Sequence, residues 1–121
     1  MLEAIIDFYT KFADFGGRTG LRFYRLAVTY NAVVMAILIF AGPTILRDLI
    51  FTNSQGFLWY LALPGSWILI HFIPLLALQA RRMHDLGLPG YTVLVPGAGI
   101  KMFWQKSTPG DNQYGPEPKD L

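Results

Sequence analysis

Residues 57–80 read FLWYLALPGSWILIHFIPLLALQA, and Arg81-Arg82-Met83-His84-Asp85 follows directly. Those 24 residues contain no acidic or permanently cationic side chain. As a helix the run is about 36 Å long, enough to cross a hydrocarbon core of roughly 30 Å with some tilt. Pro64-Gly65 and Pro74 lie inside it and predict kinks, which membrane helices accept where neighbours satisfy the freed carbonyls. The arginine pair stops the run at a membrane boundary.

Toward the N-terminus a second uncharged run, Leu26 to Ala41, follows Arg18, Arg22 and Arg25. With Leu21 to Arg25 included and the arginines snorkelling, it reaches the roughly 20 residues a spanning helix needs. A first transmembrane helix is therefore predicted over 19–41 and a second over 57–80. The loop between them holds Arg47, Asp48, Asn53, Ser54 and Gln55.

The composition agrees. Of 121 residues, 53% are hydrophobic and only 15% charged, too little charge to cover a soluble domain of this size. There is room for one domain. Cysteine is absent, so disulfides and thiolate metal sites are excluded. The first residues do not read as a cleaved signal, because Glu3, Asp7 and Asp14 interrupt the apolar pattern. Instead Leu2, Ile5, Ile6, Tyr9, Phe12 and Ala13 recur at spacings of three and four, with Glu3, Asp7, Lys11 and Asp14 opposite. That predicts an amphipathic helix over 1–15 lying in the headgroup plane, ended by Gly16-Gly17.

Beyond the turn Leu86 to Gly90, the stretch 91–104 is apolar but short, and Pro96, Gly97, Gly99 and Lys101 interrupt it. It reads as a short third membrane helix or a re-entrant segment. Residues 105–121 are polar and rich in Pro and Gly, a tail ordered only by folding back. The predicted fold class is an all-α membrane protein.

Lys11, Arg18, Arg22 and Arg25 share a side with Arg81 and Arg82 after two crossings, whereas the opposite loop has only Arg47. The positive-inside rule then puts the N-terminus and residues 81–90 in the cytoplasm. A spanning third segment would leave the C-terminus outside, and a re-entrant one would keep it inside.

The residues that carry chemistry lie on this boundary. Arg18, Arg22 and Arg25 fall near one helical stripe and need anionic compensation, from Asp14, Asp85 or lipid phosphate. Arg81 and Asp85 are four apart and are expected to pair, with His84 on the same face. Ordinary anchoring explains basic residues at a membrane boundary, but does not require His84-Asp85 beside two arginines. His71 and Gln79 are intramembrane polar residues, for which hydrogen bonding between helices is the expected role. Two histidines without ligand spacing imply no metal. No cofactor motif, nucleophile elbow or nucleic-acid signature is present.

Three stretches resemble a family of small bacterial inner-membrane proteins, domain of unknown function 805. They are Phe15 to Tyr24 (FGGRTGLRFY), Ala80 to Gly87 (ARRMHDLG) and Thr108 to Pro118 (TPGDNQYGPEP). Two departures stand out. Tyr91 occupies a position where the family usually has tryptophan, and its third apolar segment is usually longer. The resemblance implies a multi-helix membrane protein and no particular reaction.

The leading functional expectation is a non-enzymatic protein that binds anionic lipid or a protein partner. Its surface would be built from Arg18, Arg22, Arg25, Arg81, Arg82, His84 and Asp85, and homo-oligomerisation would bury its polar groups. The alternatives are an enzyme or carrier acting on lipid phosphates, with His84 as acid–base, and an oligomeric channel with His71 in the pore.

Overall fold

The computed structural model describes residues 1–42, 44 and 56–119, with only the backbone of 56–60. The predicted loop with Arg47, and the side chains of Trp59 and Tyr60, lie outside the described residues. Among the described residues there are four α-helices and no strand: α1 (Leu2–Thr10), α2 (Leu21–Phe40), α3 (Gly56–Asp85) and α4 (Ala98–Trp104). A 3-10 turn spans Gly90–Leu94. The fold is the all-helical one expected, with boundaries that differ in instructive ways.

α1 is shorter than the 1–15 predicted. Lys11 N–H still bonds Asp7 O, but Gly16 N–H then bonds the Asp14 carboxylate at 2.9 Å, a local turn that competes with helix. Ala4 and Phe8 are the buried pair of α1, and Leu2, Ile6 and Phe12 of the predicted apolar face are exposed.

α2 and α3 are long and apolar enough to cross a membrane. Only 17% and 22% of their most apolar windows are buried within the chain, so most of their apolar surface faces outward. A core helix of a soluble domain would bury most of such a window. Lipid is the medium that tolerates this exposure. α3 continues through Pro64 and Pro74 and carries the basic cluster on its last turns, five residues beyond the predicted end at Ala80. It stops at a glycine cap: Gly87 has φ +76°, Gly87 N–H bonds His84 O, and Leu88 N–H bonds Met83 O. That pattern satisfies two carbonyls of the last turn.

Two compact units make up the chain, residues 1–28 with 73–121 and residues 29–72. In the second unit His71 is buried, stacks on Trp67 at 3.7 Å and donates from Nδ1 to Trp67 O at 2.9 Å. Tyr30 meets the same indole edge-on. The hydrogen-bonding role expected of His71 is directed along its own helix in this contact. In the first unit Phe8, Tyr24, Ala27, Leu78, Met83, Leu86, Ala98 and Met102 form the core.

The 91–104 stretch is divided. The 3-10 turn and the seven-residue α4 are joined at Gly97, where φ is +85°. At about 1.5 Å per residue α4 is near 10 Å long, too short to cross. The following residues return to Arg18, Arg82 and Asp85, so the polar tail is folded back and ordered by that contact.

Candidate functional site

The Asp85 carboxylate is the centre of a buried charge cluster in the first unit. Its Oδ1 accepts from Arg18 Nε at 3.1 Å and Arg18 Nη2 at 3.0 Å, and its Oδ2 accepts from Arg82 Nη1. All three side chains are at most 1% exposed. Three residues along a helix bring Arg82 and Asp85 to one face, and the Arg18-Thr19 segment is held alongside by Thr19 N–H bonding Arg81 O at 3.1 Å.

Among the described residues one carboxylate faces these two guanidinium groups, and neutral acceptors from α4 and the tail add to it. Arg18 Nη1 donates to Gly110 O at 2.7 Å, and Nη2 donates to Thr108 O at 2.7 Å. Arg82 donates to Met102 O at 2.9 Å, to Gln105 O and to Ser107 Oγ at 3.3 Å. Carbonyl dipoles aimed at a buried cation offset its lost hydration, and the planar five-donor fork makes arginine the residue that can engage so many. The tail in turn is locally wound. Asn112 and Gly115 exchange backbone hydrogen bonds, Asn112 Oδ1 accepts from Tyr114 N–H, and Glu117 accepts from Gly110 N–H.

Arg81 departs from expectation. It does not pair with Asp85; it points to Asp7 on α1, whose Oδ2 lies 3.3 Å from Nη1. Lys11 holds the other oxygen of Asp7 at 2.6 Å. The seven-residue surface expected to face phosphate is therefore divided. Arg81, Arg82 and Asp85 are buried, the Arg18 side chain is 1% exposed, and all four are joined to the protein itself.

Arg22, Arg25 and His84 remain at or near the surface. Arg22 is exposed. Arg25 is half-buried, donates from Nε to Phe103 O at 2.8 Å and lies over the Phe103 and Trp104 rings at 5.4 and 5.5 Å. With Leu21 and Leu26 the two arginines line an open groove of about 480 Å³ on the first turns of α2. His84 stacks flat on Tyr114 at 4.0 Å and makes a 3.1 Å hydrogen bond from Nδ1 to Gly17 O. Gln79 is half-buried. Among the described residues no three carboxylate or imidazole groups converge as metal ligands would.

Sequence reasoning missed Asp7 as a partner of Arg81, and Thr108, Gly110 and Asn112 as parts of the cluster. A signal existed. Three arginines flank one aspartate, and so many buried cations require acceptors from elsewhere. The turn-forming Pro-Gly-Asp-Asn sequence of the tail was the available source.

The family described as "Protein of unknown function (DUF805)" matches residues 12–116. Those limits run from the last residues before the Arg18 segment to the tail turn that closes the cluster. The "Inner membrane protein YhaI" of Escherichia coli K12 is 30% identical over 119 residues, covering 90% of this chain and 89% of the relative. Its counterpart in Escherichia coli O157:H7 matches to the same extent. No solved structure matches the chain. With two outward-facing apolar helices and a match across nearly its whole length, this chain is a helical membrane protein that belongs to the DUF805 family.

Proposed function

We propose that this is a bacterial inner-membrane protein that binds anionic phospholipid headgroups at the first turns of α2, without chemical turnover. The observation that carries the reading is the Arg22–Arg25 groove. Two guanidinium groups and two leucines share it, at the end of a helix long enough to span. A phospholipid offers the same sequence of chemistries, phosphate beside acyl chain. Arg25 is already oriented by Phe103 and Trp104, which lowers the entropy lost when it closes on an anion. Trp104 is largely exposed, as interfacial indoles are.

Orientation belongs to the same proposal. Of the ten Lys and Arg residues, all but Arg47 lie in residues 1–28 and 73–121. That imbalance favours a cytoplasmic N-terminus. The hydrogen bonds that tie Thr108 and Gly110 to Asp85 and Arg18 carry the tail to the same side. The name of the Escherichia coli relative supports the inner membrane as location.

Native mass spectrometry of the full chain from nanodiscs containing phosphatidylglycerol and phosphatidylcholine tests the binding and counts the copies. The anionic lipid is expected to be retained preferentially. At about 1 kcal/mol per positioned cation, Arg22→Gln with Arg25→Gln should lower that retention by roughly tenfold or more. Equal retention of the two lipids by the native chain defeats the proposal.

A further inference from the structure

His84 has a second environment apart from the charge cluster. Phe15, Leu76, Ala80, Tyr91, Val93 and Leu94 line a pocket of about 350 Å³, closed by His84 and Gly90. This is near the lower end of small-ligand sites, roughly 300–1,000 Å³. Apart from the imidazole and the Tyr91 side chain, its lining residues are apolar or glycine. Because Nδ1 donates to Gly17 O, the neutral ring carries its lone pair on Nε2. Among the described residues Nε2 has no hydrogen-bond partner, and it lies beside Gly90. A Cβ on Gly90 would come within 3.3 Å of Nε2 and 3.1 Å of the Ala80 Cβ, so glycine keeps this nitrogen approachable.

We propose that this pocket binds an uncharged, hydroxyl-bearing membrane amphiphile of the long-chain alcohol or diacylglycerol type, with His84 Nε2 accepting its hydroxyl hydrogen. Three observations lead to that class. The acceptor on Nε2 asks for a donor, which a hydroxyl is and a phosphodiester or carboxylate is not. No cation lines the pocket, and the adjacent Arg81 is turned to Asp7, so an anionic head has nothing to meet it. The wall also runs from Leu76, within the apolar part of α3, to His84 at its charged end. That is about 12 Å along the helix, in the direction from lipid tail to headgroup. Stacking on Tyr114 and the bond to Gly17 hold the imidazole in one orientation, so the acceptor is preorganised.

The site shares no residue with the Arg22–Arg25 groove, so either proposal can fail alone. The test uses the full chain in phosphatidylcholine nanodiscs with a diazirine-bearing long-chain alcohol and its O-methyl ether. The alcohol is expected to label peptides containing Leu76–Ala80 or Tyr91–Leu94, and the ether about fivefold less, the worth of one hydrogen bond. In His84→Phe, which retains a ring for Tyr114, alcohol labelling should fall to the ether's level. Leu94→Asp places a carboxylate on a residue that is 81% exposed, and should lower labelling by both probes without disturbing the fold. Equal labelling by the two probes in the native chain, or adducts confined to other peptides, overturns the inference. Should His84→Phe fail to fold, the alcohol-to-ether ratio of the native chain and the Leu94→Asp result still decide it.

Discussion

Among the described residues Asp85 is the carboxylate that serves both Arg18 and Arg82, and all three side chains are shut away from water. A buried guanidinium without its counter-charge is costly, whereas the intact arrangement contributes little beyond specificity. Asp85→Asn should therefore destabilise the chain by about 3–5 kcal/mol, lowering its melting temperature in detergent markedly. An unchanged melting temperature would mean that the cluster is not closed as described. The pairing itself was half legible. Helical spacing puts both Arg81 and Arg82 within reach of Asp85, at four residues and at three. What selects Arg82 is the position of acceptors distant in sequence, Met102 O and Gln105 O on one side and the Asp7 carboxylate drawing Arg81 to the other.

The end of α3 and the C-terminal tail act together as elements. Gly87 turns the chain out of the helix, the 91–104 stretch departs and returns, and the tail then supplies carbonyls to Arg18. Thr108 reinforces the return, since its N–H and hydroxyl both bond Asp85 O, at 3.1 and 2.7 Å. A chain ended after Gln105 loses the Thr108 and Gly110 acceptors of Arg18. At about 1 kcal/mol for each of these bonds, local opening around Arg18 should become at least roughly tenfold more frequent. Limited trypsin digestion in detergent reads this directly. The Arg18–Thr19 bond should resist cleavage in the full chain and be cut rapidly in the shortened one; equal rates would show that the tail is not what closes over Arg18. Composition alone makes this tail look unstructured, because it carries no apolar periodicity. Its order comes from satisfying buried cations, which a hydrophobic pattern does not report.

For the molecule as a whole, the proposed topology puts α1 and the tail residues around Gln113 on the same, cytoplasmic side of the membrane. The absence of cysteine makes single-cysteine reporters clean. Glu3→Cys and Gln113→Cys, both at exposed positions, should react with an impermeant maleimide only when the cytoplasmic face is opened. Labelling of the two from opposite faces would require the 91–104 stretch to span, against its division into a 3-10 turn and a seven-residue helix. Two spanning-length helices and the arginines at their boundaries could be read without coordinates, because the bilayer selects on length, apolarity and charge, which are local properties of a chain. The tertiary structure alone decided which arginines are buried, that Asp7 serves Arg81, and that the tail closes the cluster. Those choices depend on partners 20 to 97 residues away, which no local pattern encodes and only the folded backbone brings within hydrogen-bond reach.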